Sequence, residues 1–425
     1  MPARRGVAAV PSEAAGVRGT SAAFSVTVLV PGRVRADIDA VIASAPGVVV
    51  CYADEADEAD ARDQRRITLD ADSGSTLAWL TSALRARLGA DLLQTEDPVF
   101  TVASTGKLTQ SLCASVTTGH DLALFDAEAD RRVIRYLSVH PNHTDRVTGR
   151  PRRIALLTDA SAVLDFEPLA AEAALPAVES QAAHLHRATG LDVIPMPVDA
   201  HEPADLARLV GMLAPGFAAM VLVHTHVRRI DAVRAAMLAA ARPTSPLLLD
   251  SINDGLAVAA TAAILNHLRA HGIEPARARV AIVDPGRGGD LAGLVVGAGV
   301  RQVTLYDPVL YGVQPLHGLA ADLDLIVDLI GLARPPDGVA VLRTRPELPP
   351  PLDSASLGPR PLHALPGLLQ AAVTMRRPIT PAARLAAVRA LTMQTPPGML
   401  LPPLDLPRLT PAVAAAAVEA LSARE

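Results

Sequence analysis

The chain has 425 residues, 50% of them hydrophobic but only 2% aromatic, and carries a formal net charge of −5. That length predicts roughly two to four domains, each packed through many small aliphatic contacts rather than a few large anchors. The mild, dispersed charge excludes a nucleic-acid footprint, and without an apolar run of about 18 or more residues no membrane partner is expected.

Residues 1–21 hold Arg4, Arg5 and Arg18 but no continuous apolar stretch, so a disordered leader is expected there rather than a signal peptide. Cys51 and Cys113 are the only cysteines, with no CxxC spacing. They exclude a disulfide framework and suit a reducing, cytoplasmic setting. From residue 24 the pattern predicts a strand (24–30, stopped by Pro31-Gly32), a helix (34–44), strands at 48–52 and 66–70, a helix (77–88) and a closing strand (99–102). That β-α-β-β-α-β order predicts a ferredoxin-like unit over 22–104. The acidic run 54–63 is read as the solvated hairpin between its middle strands.

Further along, an apolar strand (154–157) ends at Thr158-Asp159, a short apolar run (162–164) follows, and Glu167-Pro168 marks the start of an Ala-rich helix. A strand is expected at 219–223. Beyond it, His224 and His226 stand two apart at a strand end, which would put both side chains on one face. With Asp250 or Asp254 nearby they could form a transition-metal site; the plainer alternative is two partly exposed histidines with no ligand role. A helix (257–270) then leads to a strand (280–283), the turn Asp284-Pro285-Gly286-Arg287-Gly288-Gly289, a helix (291–298) and a second strand (302–305) followed by Asp307.

Strand, glycine turn, helix, strand and acid is the context in which G-x-G-x-x-G has meaning. Here the first glycine is Asp284, while Gly286 and Gly289 are kept. Pro285 removes a backbone donor, and Arg287 either contacts phosphate or faces solvent. Asp307 stands where an acid would hold an adenine ribose. The expectation is an α/β, Rossmann-type domain over 251–390 whose NAD or NADP binding is weakened or lost. Apolar strands are expected within 323–330 and at 339–342. Pro349–Pro351 and 396–407 read as extended connectors. Thr380-Pro381 and Thr410-Pro411 read as starts of the last helices.

Thr158-Asp159, Ser161-Ala162-Val163-Leu164, Leu175-Pro176 and Glu179 stand in register with the S/T-D-G-S/T-A-V-L and L-P-V-M-E-G-K-A motifs of the malic enzyme family, which the chain resembles from its N-terminal unit to its last helix. The resemblance implies a malic enzyme substrate domain over 105–250, the nucleotide domain over 251–390, and a C-terminal segment and helix over 391–425. The 22–104 unit is similar to the ACT domain that precedes the catalytic part in some bacterial members. The family oxidatively decarboxylates malate to pyruvate and CO₂ with NAD(P) and Mg²⁺ or Mn²⁺.

Its motifs are eroded here. The catalytic positions of the resemblance are Asp126, Gln181 and Asp250, with the family's tyrosine replaced by Asp126 and its lysine by Gln181. A carboxylate titrating near 4 cannot do the work of a phenol near 10, and an amide is neither acid nor base. The metal positions are Val223, His224 and Ser251 (or Ile252), in a stretch one residue longer than the family's H-D-D-Q-H-G-T-A. Of the two substrate asparagines, one is Arg343 and the other is lost within 360–367. The resemblance therefore implies a regulatory or structural paralogue with impaired catalysis and no family metal, forming homo-oligomers or mixed oligomers with an active malic enzyme. The alternative is an active NAD(P)-dependent oxidoreductase on malate or another 2-hydroxy acid with a remodelled site. A third possibility is a small-molecule sensor working through the N-terminal unit.

Overall fold

The computed structural model describes residues 21–53, 64–113, 116–163, 166–200, 202–240, 247–312, 314–320, 322–331, 336–344 and 358–423. The leader, the acidic run 54–63 and the connector at Pro349–Pro351 lie outside them. The chain divides into two compact units, residues 1–107 and 108–425.

In the first unit, strands β1 (Ser21–Pro31), β2 (Val48–Ala53), β3 (Gln64–Ala71) and β4 (Gln94–Glu96) form an antiparallel sheet in the order β2-β3-β1-β4. The helices Arg35–Ala43 and Gly74–Leu88 pack on it. Val28, Ile38, Ile67, Leu69, Leu80 and Leu84 make the core, each fully buried aliphatic side chain contributing about 1.5–3 kcal/mol. The expected closing strand at 99–102 is instead part of the helix Pro98–Ser104. Asp97 accepts from the Val99 N–H at 2.9 Å, and Pro98 fills the first turn. That cap and proline outweigh the β-propensity of the valines, and the short β4 pairs with Thr27–Leu29 in the closing strand's place.

The second unit holds two parallel sheets. One contains β5 (Arg153–Thr158), β6 (Asp192–Pro197), β7 (Ala219–Leu222) and β8 (Leu247–Asp250) in the order β6-β5-β7-β8. The other contains β9 (Arg279–Val283), β10 (Gln302–Tyr306), β11 (Leu325–Asp328) and β12 (Ala340–Arg343) in the order β10-β9-β11-β12. Parallel sheets need cover on both faces, and one continuous aliphatic core runs through both sheets and their helices. At its centre lies the helix Ala257–Ala270, every residue of which is buried from Ala257 to Ile264. Its small side chains let neighbouring elements pack against it on all sides.

Two boundaries differ from the sequence expectation. The helix expected from Glu167-Pro168 starts at Leu175, with Pro176 in the first turn. The final helix starts at Leu409, one residue before Thr410, without a side-chain cap. No helix among the described residues is long and apolar enough to cross a membrane.

Candidate functional site

In parallel sheets, binding chemistry collects beyond the C-terminal strand ends. The loops after β5 and β7 are tied together there. The Thr158 hydroxyl and the Ala162 N–H each donate to the His224 carbonyl at 3.1 Å. Asp159, its side chain fully buried, accepts from the Ser161 N–H and hydroxyl at 3.1 and 2.7 Å and pairs with Arg229. Ala160 and His224 sit at φ of 57° and 49°, a region that costs a non-glycine residue about 1–2 kcal/mol.

β7 ends at Leu222, so His224 is off the strand and the two-residue alternation does not carry to His226. Burial pushes the His224 imidazole down, against hydrogen bonds that the ring donates to the backbone of Ala162 and Ala177. His226 is exposed; partial desolvation, then Arg287 and Arg228, push its imidazole down. The two rings therefore have different surroundings, contrary to the shared face expected from sequence. Among the described residues, no three His, Cys, Asp or Glu side chains group to hold a metal ion.

The deepest charges lie after β8. Asp250 is fully buried and accepts from the N–H groups of Ile252 and Asn253 at 3.0 and 2.6 Å, from the Asn253 side-chain amide at 3.1 Å, and from Arg234 Nε and Nη2 at 2.9 and 2.5 Å. Asp254, equally buried, accepts from Arg234 Nη2, the Asp250 N–H and Arg384 Nε, each at 2.9 Å. Burial raises the Asp254 carboxyl, and Arg384 and Arg234 oppose that rise. Burial lowers the Arg234 guanidinium, but Asp250 and Asp254 outweigh it and hold its pKa above the ordinary value.

Residues Ile252–Leu256 that carry these groups form a single π turn, in which the Leu256 N–H donates to the Ser251 carbonyl at 2.9 Å. A π turn accommodates one more residue than an α turn, and here it carries Asn253 and Asp254 back toward Asp250. Ser251 itself is buried, its N–H donating to the Leu222 carbonyl at 2.9 Å.

The glycine turn after β9 lies against this cluster. Asp284 holds φ of 57° and its carboxylate accepts from Arg287 Nε at 2.9 Å. Gly289 has φ of 56°, and a Cβ there would fall 2.4 Å from Asn253 Oδ1. The Asp290 N–H, at the start of the following seven-residue helix Leu291–Gly297, donates to Asn253 Oδ1 at 2.8 Å. Arg384 Nη1 reaches the Asp290 carboxylate at 3.4 Å. Gly286 has only ordinary contact with Asp284.

The other sequence-selected residues stand apart from this cluster's contacts. Asp126 is exposed and caps the helix Ala127–Val139, accepting from the N–H groups of Glu128 and Ala129 at 3.0 and 3.1 Å. Gln181 is half-buried on the helix Leu175–Thr189. Asp307 caps the short helix Pro308–Tyr311 through the Val309 N–H at 2.8 Å. Val223 is buried in the aliphatic core.

Sequence reading missed Arg234, Arg384, Asn253 and Asp290, which complete the charge network. It also missed Asp328, fully buried at the end of β11, which accepts from the N–H groups of Ile330 and Gly331 at 3.2 and 2.8 Å. One available signal was Arg384 itself, set among Ala382, Ala383, Leu385 and Ala386 on a mostly apolar helix.

No family model matches the chain. It is similar to the NAD-dependent malic enzyme of Geobacillus stearothermophilus, 25% identical over 181 residues that cover 43% of this chain and 38% of that protein. It is also similar to NAD-dependent malic enzyme 1 of Bacillus subtilis, 23% identical over 258 residues, 60% of this chain and 55% of that one. The fold matches the NAD-dependent malic enzyme of Thermotoga maritima with a TM-score of 0.65 at 19% identity, over 74% of this chain and 97% of the other. In fold, and over these stretches of sequence, the chain is similar to the malic enzymes. The matched regions span roughly half or less of the length of those sequence relatives.

Against malic enzyme chemistry, the fit of the residues can be tested directly. A hard divalent cation needs free oxygen ligands, usually including carboxylates. Val223 offers none, and all four carboxylate oxygens of Asp250 and Asp254 already accept hydrogen bonds within the protein. These residues do not fit Mg²⁺ or Mn²⁺. The dinucleotide positions fit poorly at the turn. One N–H at the start of the helix, that of Asp290, of the kind a phosphate would use, is taken by Asn253, and the turn itself carries the Asp284 carboxylate, paired with Arg287.

Proposed function

We propose that this malic enzyme relative no longer carries out oxidative decarboxylation and acts as a regulatory or structural paralogue. One observation carries the reading: the buried carboxylates beside the family's metal positions are neutralised by Arg234 and Arg384. Without a Lewis acid to polarise a 2-keto oxygen, and with Asp126 and Gln181 in place of a phenol and an amine, neither decarboxylation nor tautomerisation has its usual support. Incubation with malate, Mn²⁺ and NAD or NADP, followed by absorbance of the reduced dinucleotide, tests the reading; turnover at an ordinary enzymatic rate overturns it.

Self-association is part of this proposal, with mixed oligomers containing an active malic enzyme as its extension. The helix Ala127–Val139 has no buried residue among those described, and leaves Val133, Ile134, Tyr136 and Val139 exposed, next to exposed Leu122, Leu124 and Phe125. A contiguous apolar surface of this kind marks an interaction site.

A second reading, an active NAD(P)-dependent oxidoreductase on malate or another 2-hydroxy acid, draws on the charged groups His226, Arg228, Arg287 and Asp284, which interact across the glycine turn. With Gly286, Gly289 and Asp307 they would have to supply the dinucleotide contacts. Calorimetric titration with NAD(H) and NADP(H) separates the two: micromolar binding favours the oxidoreductase. An ACT-like role for the 22–104 unit, as an amino-acid sensor, is tested in the same way with free amino acids.

A further inference from the structure

We propose that Arg234, with Arg384, is a resident cation that takes over the charge role of a divalent metal ion and closes the Asp250–Asp254 pair to one. The inference rests on the family reading above, because only that reading makes a cation expected here; the charge arrangement itself is independent of it. Asp250 and Asp254 bring two negative charges into the interior, with side chains 0% and 1% exposed. Arg234 and Arg384 return two positive charges, with side chains 30% and 9% exposed. The two buried carboxylates are thus matched by the two guanidinium groups, with the more exposed Asp290 sharing Arg384, so a further divalent ion would add uncompensated positive charge beside the core, where it is strongly disfavoured.

Ligand saturation leads to the same conclusion. A carboxylate has about four acceptor sites, and Asp250 already accepts five hydrogen bonds, two of them from one arginine. The Arg234 fork grips Asp250 through two nitrogens and shares one of them with Asp254. One group thus bridges two carboxylates, the geometry a metal ion would otherwise supply. Arg234 lies on the helix Val227–Ala240 and Arg384 on the helix Pro381–Gln394, so the two guanidinium groups also connect β8 to elements on either side of it.

The experiment compares the wild-type full chain with Arg234→Ala. Mn²⁺ binding is read by electron paramagnetic resonance, and melting temperature is read with Mn²⁺, EDTA or methylguanidinium added. Wild type is expected to leave the Mn²⁺ spectrum that of the free ion and to melt identically in Mn²⁺ and EDTA. Arg234→Ala is expected to melt lower by roughly 5–10 °C and to regain at least half of the loss with millimolar Mn²⁺ or methylguanidinium. The double variant Arg234→Ala/Asp250→Asn should regain none. Micromolar Mn²⁺ binding by wild type overturns the proposal, as does a single variant that neither cation rescues. If Arg234→Ala does not fold, the wild-type Mn²⁺ titration decides alone. Malate turnover by wild type with a silent Mn²⁺ spectrum would sink the family-function reading and leave the resident cation standing.

Discussion

Arg384 donates from Nε to the Asp254 carboxylate at 2.9 Å across 130 residues of sequence, with both side chains buried. Removing one partner of such a pair strands the other, which costs more than the pair contributes. Arg384→Met is therefore expected to lower unfolding free energy by about 3–5 kcal/mol. The double change Arg384→Met/Asp254→Leu should cost clearly less than the sum of the single changes. Urea unfolding of the three variants checks this; additive losses would show that the residues do not act as a pair.

Gly289→Ala meets two separate penalties. Its φ of 56° disfavours any side chain, and the new Cβ would lie 2.4 Å from Asn253 Oδ1. A loss of about 2–4 kcal/mol is expected, of which about 1–2 is the backbone term. In an Asn253→Ala background the loss should fall to the backbone term plus the remaining close contact with Ile252 Cγ2 at 3.1 Å. An equal loss in both backgrounds, measured by thermal unfolding, rejects the contact.

His363 is 1% exposed in the turn Pro361–His363, and burial pushes its imidazole down from 6.5 to about 4. Above pH 6.5 the ring is neutral in both folded and unfolded chains and no penalty arises. Below 6.5 the unfolded chain takes up a proton that the folded chain refuses until about 4. Stability therefore falls by up to about 3 kcal/mol across that interval and levels off below it. Melting temperature against pH should lose this step in His363→Gln; an unchanged curve disproves the assignment.

Asp126 holds the start of the helix Ala127–Val139. Asp126→Tyr is expected to cost about 1 kcal/mol through loss of the cap, and Asp126→Asn only a few tenths. Adding Gln181→Lys to Asp126→Tyr is expected to yield no malate oxidation, since the cation and turn positions remain altered. Denaturant unfolding and a malate assay measure the two halves of this prediction.

If the exposed face of Ala127–Val139 joins copies of the chain, Ile134→Glu should dissociate them. Light scattering after size-exclusion chromatography is expected to give a dimer or larger species for wild type and a monomer for the variant. A wild-type monomer at tens of micromolar excludes the self-association.

The parallel β-α architecture was legible because long apolar runs alternate with helical periodicity, and helix Ala257–Ala270 was found residue for residue. The N-terminal order of strands and helices was legible too, except where Asp97-Pro98 turned a valine-rich run into a helix. Boundaries set by turns, such as Leu175 rather than Glu167-Pro168, depended on tertiary packing that no local pattern reveals. At the candidate site Asp250 and the Asp284–Gly289 turn could be picked out from sequence, but the partners they meet could not. Arg234 and Arg384 reach Asp250 and Asp254 from other elements of the fold, and sequence spacing carries no trace of such a contact.

The π turn at Ile252–Leu256 fixes the spacing between the end of β8 and the buried helix. A helical residue turns the side chains beyond it by about 100°, so excising one residue here would swing Asn253 and Asp254 away from their present partners or rotate the buried helix behind them. The length of this loop, its ion pairs and the rotation of the central helix are therefore locked to one another. A residue gained or lost here would break the charge network and displace the core in one event, so the segment has no spare length.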